Sequence, residues 1–437
     1  MPFSRDIIAA TSNSAVVDVA VTGVLSTNIV TMPEIVLSGT QTITLGSAAY
    51  DAYGRQRMAS PSTLFASQLD YADNTLLWDT SITAGGSSSY YQNESTFDLF
   101  VGTTSGDKIV RQTKQYFKYQ PGACLLVAMT FVLGAQKANV QRRVGFFDDE
   151  NGIFLQQTNA GNAFVLRNFI SGTANDDPAA QANWSIDTFD GTGPSGVTLN
   201  LAYAQILVID LQWLGAGLVR CGFIIDGVIH YAHHFVNANK RASVYMTTAR
   251  LPVRYELVNT DTAASSSTLR QICAAVTMEG GVIDPAGQLF SADNGITARP
   301  ALSTVALPLI AIRPVATFAS ATNRRSTFPL QLLTFATVKD VFLYVLLNPT
   351  LTSGSWVTAN SASHTEYNVT ATAATGGIKL LSGYVAAGKN SNSVGAQQLL
   401  EKVVLTNNLT TQDTLVLMGR GIGGTSTTYS SITWKEI

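Results

Sequence analysis

The sequence predicts an all-β protein, with a large antiparallel β-sandwich of jelly-roll type, a second, smaller β-sandwich and a short N-terminal β arm. Three observations support this. Short apolar or alternating runs recur along the 437 residues, glycine-rich turns separate them, and Ser, Thr, Ala, Val, Asn and Gly are abundant, a composition that suits pleated strands. The clearest case is residues 205–235, where Asp226-Gly227 separates two apolar runs. Because Asp-Gly favours a type I′ turn, we expect a three-stranded antiparallel meander there.

Charge and hydropathy narrow the classes of function. Charged residues make up 13% of the chain and the formal net charge is −2, which argues against the basic surface that nucleic-acid binding requires. The longest apolar run covers residues 124–135, whereas a membrane helix needs roughly twenty residues, so no membrane insertion is expected. We see no signal-peptide pattern, and the three cysteines lie in apolar strand-like contexts, which predicts buried thiols and synthesis in a reducing cytoplasm.

Changes in pattern divide the chain into four parts. Residues 1–48 hold short polar strands that bury little, and we interpret them as an arm for docking or assembly, with an edge hairpin as the alternative. Residues 49–285 form the main β domain. Residues 286–301 lack a period and contain proline and glycine, which predicts an interdomain linker. Residues 302–437 form the second β domain.

Several elements can be placed inside these domains. Residues 125–133 form a fully apolar strand for the centre of a sheet. Residues 142–155 form a hairpin that turns at Asn151-Gly152. Residues 61–69 are predicted to hold a short helix, because Ser62 can act as an N-cap, and residues 396–402 one or two helical turns.

Metal binding has two candidate positions. Asp148, Asp149 and Glu150 could offer oxygen ligands to a hard cation such as calcium, but they lack the alternation of an EF-hand loop, and a solvated hairpin tip explains them better. His230 and His234 are four residues apart on a predicted strand, so we expect them on one face, without a third ligand. The sequence therefore predicts neither a metal nor another cofactor.

Glycan contact has candidates among aromatic and basic residues. Tyr116 and Lys118 share one face of a predicted strand. Exposed loops are expected at residues 87–92, 172–183 and 260–267, since binding residues concentrate on loops. These patterns select the following possible glycan or partner contacts: Tyr90, Tyr91, Tyr116, Lys118 and Trp184.

Enzymatic motifs are absent from the sequence. The glycine-rich stretch at 191–196 lacks the lysine and the helix of a phosphate-binding loop. Ser195 within it lacks the setting of a nucleophile elbow and a partner base. We therefore expect no catalytic residues.

Several stretches of the chain resemble virion proteins of tailed bacteriophages. The similarity covers roughly residue 50 to the end and is carried by YGRQR (53–57), RQTKQYF (111–117), VGFFDDENG (144–152), DGTGPSG (190–196), LPVRYE (251–256) and LNPT (347–350).

The resemblance implies a structural protein of the particle exterior, of the fibre, baseplate or capsid-decoration type. It also implies a homotrimer with other virion proteins as partners, and it carries over no catalytic residue. The alternative is an adhesin that recognises a bacterial surface glycan through loops of the β-sandwich.

Overall fold

Antiparallel strands form almost all of the regular structure. The computed structural model describes residues 50–52, 61–279, 287–388, 392–393 and 403–437. Within these ranges there is no α-helix, and a single 3-10 turn lies at Gln181–Asn183. The all-β prediction is therefore confirmed. The predicted arm at 1–48 and the predicted helical turns at 396–402 lie outside the described residues.

The first sandwich consists of fifteen strands. In chain order they are β1 Ser62–Ser67, β2 Trp78–Thr83, β3 Gly86–Tyr91, β4 Thr96–Val101, β5 Lys108–Thr113, β6 Cys124–Val132, β7 Val140–Phe147, β8 Gly152–Thr158, β9 Gly161–Asn168, β10 Asn175–Ala180, β11 Gln205–Leu211, β12 Val219–Ile225, β13 Val228–Phe235, β14 Val253–Asn259 and β15 Ser267–Glu279.

Two sheets share these strands. The eight-stranded sheet has the order β13-β12-β11-β6-β15-β4-β3, with β1 also paired to β15, and the seven-stranded sheet has the order β10-β9-β8-β7-β14-β5-β2. Inward side chains alternate along each strand, as in Leu125 and Val127 of β6 and Val144 and Phe146 of β7, and they merge into one buried core.

The second sandwich follows the same plan. Its strands are β16 Gln288–Asp293, β17 Arg299–Ala301, β18 Leu307–Pro314, β19 Thr317–Phe318, β20 Ala321–Thr322, β21 Thr327–Ala336, β22 Val341–Leu347, β23 Thr350–Thr352, β24 Val357–Thr358, β25 Thr365–Asn368, β26 Ala373–Thr375, β27 Ile378–Val385, β28 Asn392–Ser393, β29 Leu415–Gly421 and β30 Ser426–Glu436. A five-stranded sheet, β16-β30-β21-β28 with β17 also on β30, packs against a six-stranded sheet, β24-β25-β18-β29-β22-β27.

Turn and strand predictions from the meander and the central strand are confirmed. The β12–β13 hairpin turns through Asp226 and Gly227, at φ of 52° and 79°, so both residues adopt the positive φ of a type I′ turn. Strand β6 lies in the middle of its sheet, between β11 and β15. The hairpin predicted at 142–155 is formed by β7 and β8.

Other local predictions are wrong, because pairing with another strand outweighs a local signal. The helix expected at 61–69 is strand β1, which pairs with β15. The linker expected at 286–301 contains β16 and β17, both paired with β30. Within the loops expected at 87–92 and 172–183, strands β3 and β10 form instead.

Candidate functional site

A network of charged side chains covers the outer face of the seven-stranded sheet. Period-two alternation places Arg254 and Glu256 on the same face of β14, and Arg143 of β7 lies opposite Glu256 in the register. Arg143 donates to Glu256 at 2.8 Å, Lys108 lies 3.5 Å from it, and Arg254 also pairs with it. Only 2% of Glu256 is exposed.

These cations decide the ionisation of Glu256. Burial alone would raise its pKa, but the charges of Arg254, Arg143 and Lys108 outweigh burial and hold the pKa well below its usual range. Glu256 is therefore a buried, permanently charged carboxylate that is bound on several sides, which suits a structural role.

Aromatic rings lie beneath the arginines of this face. Phe147 and Phe154 are 4.5 Å apart between ring centroids and fully buried. The guanidinium groups of Arg143 and Arg167 lie 5.4 and 5.1 Å from the Phe154 ring, within cation–π range, and Arg254 lies 5.2 Å from Phe147. We call this surface, built by Arg143, Arg167, Arg254, Glu256, Phe147 and Phe154, the closed face.

The three acidic residues of the β7–β8 turn belong to the same system. Asp148 accepts hydrogen bonds from the backbone N–H groups of Glu150 and Asn151, each at 2.8 Å. Arg324 of the second sandwich pairs with Asp148 and, at 2.9 Å, with Glu150. Asp149 pairs with Arg254 at 2.8 Å. Each candidate metal ligand thus contacts an arginine.

Asp148 is the most deeply buried of the three. Burial raises its pKa, and the opposing charge of Arg324 offsets only part of that effect. Over the described ranges, no group of three or more His, Cys, Asp or Glu side chains could hold a metal ion. The turn serves instead as a docking point for the second sandwich.

Further contacts extend this junction between the sandwiches. Asp79 of β2 accepts hydrogen bonds from the backbone N–H and the hydroxyl of Thr410, each at 3.1 Å. Arg250 donates to the backbone carbonyl of Ile437. We call these contacts, together with those of Arg324, the junction.

A serine, a histidine and a glutamate meet in the second sandwich near the junction. Glu436 accepts hydrogen bonds from the Ser363 hydroxyl at 2.5 Å, from Trp434 Nε1 at 2.8 Å and from the His364 N–H at 3.0 Å. All four residues are buried. Because the serine donates to the glutamate rather than to the histidine, this is not the nucleophile–base order of a hydrolase.

Two of the five residues selected as possible contacts are buried. Trp184 is 4% exposed, lies 4.6 Å from the Phe164 ring and donates to the carbonyl of Ala179 at 3.0 Å. Tyr116 accepts a hydrogen bond from Gln112 at 3.1 Å, and burial raises its pKa to about 12. Neither ring offers a face to a ligand.

The other three selected residues do not form one site. Tyr90 is half-buried and donates to the carbonyl of Leu69 at 2.7 Å. Tyr91 is partly exposed beside Arg270, and Lys118 is exposed. The structure places Tyr91 on β3 of the eight-stranded sheet and Lys118 after β5 of the seven-stranded sheet.

The predicted arrangement of the histidines is wrong. A bulge between Cys221 and Gly222 pairs β12 with β13 so that His234 lies opposite Arg220 and His230 opposite Phe223. Phe223 belongs to the core and is three residues from Arg220, so the two histidines point to opposite faces. No residue type in the sequence indicates this bulge, and because of it the two histidines do not share a face.

The outer face of the eight-stranded sheet is partly closed by a polar cluster. Arg220 pairs with Asp210 and donates to the carbonyl of Tyr50 at 2.6 Å. Tyr231 donates to Asp210 at 2.9 Å, and the Arg220 guanidinium lies 4.3 Å from its ring. The outer face of β11 is thus buried at Asp210, which is fully enclosed.

The same face also holds two adjacent cavities that open to solvent. The first, about 540 Å³, is lined by Thr130, Asn200, Tyr203, Gln205 and Asp226 among others. The second, about 230 Å³, is lined by Ala66, Gln68, Ala128 and Cys273 among others, and Thr130 borders both. We call the two cavities together the trough. Sequence reasoning missed it, because Tyr203 stands in a short stretch without a motif.

Two predictions from the sequence concern the three cysteines and the hydropathy of the chain. Cys124, Cys221 and Cys273 are free thiols, the first two buried as predicted and the third half-buried. In the described part of the chain, no helix is long and apolar enough to cross a membrane.

Comparison with known proteins gives similarity of fold alone. No family model and no curated protein matches the chain. Among solved structures, a β-glucanase of Bacillus licheniformis is 10% identical, with 50% of this chain and 99% of that chain covered and a TM-score of 0.33. A legume lectin-like domain from Entamoeba histolytica is 9% identical, with 50% and 98% covered and a TM-score of 0.30. The lectin UEA-II in complex with galactose is 9% identical, with 50% and 100% covered and a TM-score of 0.30.

Proposed function

We propose that this chain is a non-enzymatic structural protein of the exterior of a tailed-phage virion, made in the host bacterial cytoplasm. One observation carries the proposal. Two of the stretches that resemble virion proteins contribute to the closed face and the junction: Arg254 and Glu256 come from LPVRYE, and Asp148 comes from VGFFDDENG. Arg254 and Glu256 belong to the charge network of the closed face, and Asp148 pairs with Arg324 of the second sandwich.

The state of the buried acids also supports a non-enzymatic role. Glycoside hydrolysis requires two carboxyl groups across a groove, one of which must take up or release a proton. Within the described ranges, Glu256 and Asp148 are each engaged by arginine, and Glu436 accepts three hydrogen bonds in a sealed site. These carboxylates are not offered to a substrate.

Assembly of several copies completes the proposal. The chain forms a homotrimer, as the resemblance implies, and residues 1–48 dock it to other virion proteins. The near-neutral charge suits assembly through buried area, since such contacts depend little on salt.

Two measurements test this proposal. Mass spectrometry of purified particles should find the chain, and gold-labelled antibodies should bind the particle exterior. Light scattering on the full chain and on a variant beginning at Ala49 should give a trimer for the full chain. If the chain is absent from particles, the proposal fails, and a monomer in both proteins would rule out self-assembly.

A glycan-binding adhesin is the second candidate function. The open trough with an exposed tyrosine favours it, because exposed concave sites with an aromatic ring and several polar groups suit ligand recognition. Purified protein added to host cells should then compete with particle adsorption. Unchanged adsorption at saturating protein would exclude this candidate.

A further inference from the structure

The turn that carries Tyr203 is firmly held, although the ring itself is 70% exposed. The backbone N–H groups of Leu133 and Gly134 donate to the carbonyl of Leu201 at 3.0 and 2.9 Å. Asn200 Oδ1 accepts the N–H of Ala202 at 3.0 Å. The ring is thus presented to solvent by a fixed backbone, so little conformational entropy would be lost when a ligand binds.

The side chains around Tyr203 are a mixture of polar and apolar groups with almost no charge. Asn200, Gln205, Thr130 and Asp226 line the same cavity, and Asp226 is the one charged residue among the lining residues of the two cavities. Without a lysine or arginine there, phosphate groups and acidic sugars gain no counter-charge. A ligand rich in hydroxyl groups can use the amide, hydroxyl and carboxylate groups directly.

The trough runs across the strands rather than along them. Ala128, Ala275 and Ala66 lie side by side in register on β6, β15 and β1, and their small side chains leave the second cavity shallow and open. From β12 to β1 the sheet spans four strand spacings, or about 19 Å. An extended peptide would add to a sheet edge, where backbone groups are free, whereas the strands that line the first cavity, β6, β11 and β12, each pair with a strand on both sides.

We propose that the trough binds a neutral oligosaccharide, with Tyr203 stacked against the apolar face of one sugar ring and Asn200, Gln205 and Asp226 bonded to its hydroxyl groups. This inference rests on the second candidate function and specifies its ligand class and its site. It goes beyond the loops selected from the sequence, since the binding surface is the open part of a sheet.

The test uses the purified full chain on an array of immobilised neutral glucans, mannans and galactans, with polygalacturonate as the acidic comparison. The strongest neutral ligand is then titrated by calorimetry. Tyr203→Ala should weaken binding by about tenfold or more, since loss of one aromatic contact is of that order. The matched control is Tyr384→Ala, which removes a ring that is 75% exposed in the second sandwich and should leave binding unchanged.

Several outcomes would overturn the inference: no neutral glycan binds, only polygalacturonate binds, or Tyr203→Ala binds as well as the unaltered chain. Circular dichroism of each variant verifies that the fold is intact. Particle association and oligomeric mass are measured in separate experiments. A negative glycan result therefore does not contradict the structural role, and absence of the chain from particles does not contradict glycan binding.

Discussion

The two outer faces of the first sandwich differ in how they use charge. On the seven-stranded sheet, the closed face brings arginines and carboxylates together over aromatic rings, and hardly any of Glu256 reaches solvent. On the eight-stranded sheet, the trough exposes Tyr203 among almost neutral neighbours. The closed face is therefore engaged in internal charge pairing, whereas the trough is an almost neutral surface that is exposed to solvent.

This contrast shows that ionisable residues are a poor guide to function in this fold. A charge inside a sandwich wall is costly to desolvate unless partners surround it, so it is found within a complete network. A ligand site for neutral groups needs exposed rings and amides instead. The tests that follow compare the two faces and the junction in order of expected effect.

The largest effect is expected from Glu256→Gln on the closed face. The substitution leaves Arg143 and Arg254 buried without their common anion, which should lower the free energy of unfolding by about 3–5 kcal/mol. Urea denaturation monitored by tryptophan fluorescence measures this. A loss below about 1 kcal/mol would mean that the network is not stabilised by its charge pairing.

A smaller effect is expected from Arg324→Met at the junction. The change removes the cation next to buried Asp148, so we expect the free energy of unfolding to fall by about 2–3 kcal/mol. The Asp148 carboxylate loses its charged partner, but water can still reach the exposed side of the β7–β8 turn. Limited proteolysis should also cleave between the sandwiches faster. Arg420→Met is the control. Arg420 is exposed and lies near the end of β29, whereas the junction residue Thr410 lies before its start.

The pH dependence tests the enclosed site near the junction. Burial lowers the pKa of His364 to about 4; nearby Glu436 acts in the opposite direction, and Arg325 and Arg250 lower it further. The unfolded chain therefore binds an extra proton at this residue between about pH 6.5 and 4, and His364 alone should lower the free energy of unfolding by about 1.4 kcal/mol for each pH unit of acidification.

In His364→Gln, the slope of the free energy of unfolding against pH should decrease by the contribution of about one bound proton. His234 remains in this variant with its pKa also lowered to about 4 by burial, so part of the slope should persist. An identical slope with and without His364 would contradict the assignment.

The smallest effect is expected from Asp226→Asn at the edge of the trough. This side chain is exposed on a hairpin turn at positive φ, which asparagine tolerates, so stability should change by less than about 0.5 kcal/mol. The same substitution should weaken glycan binding. If instead stability falls as much as in Glu256→Gln, the distinction between the two faces fails.

The sequence correctly predicted those elements that depend on residues close together in the chain. Asp226-Gly227 specifies its turn because few other residues adopt positive φ at both positions, and the apolar run in β6 requires a central strand. Ser62 misled because an N-cap signal is weak beside a full ladder of hydrogen bonds to β15.

The sites were harder to predict for a different reason. Trp184 and Tyr203 are both aromatic residues near turns, yet one is buried and the other is exposed. Whether each ring is buried depends on which strands pack against it. The order of strands in the sheets determines that packing, and the neighbouring residues in the sequence do not. Arg324 likewise contacts Asp148, from which it is 176 positions away in the sequence.

The junction also imposes an order on synthesis. Asp148 lies in the first half of the chain, whereas Arg324, Thr410 and Ile437, which complete the junction, emerge from the ribosome much later. Domains generally fold as they are made. The first sandwich can therefore close while translation continues, with Asp148 still lacking its arginine, and the second sandwich later supplies the partners that join the two sandwiches.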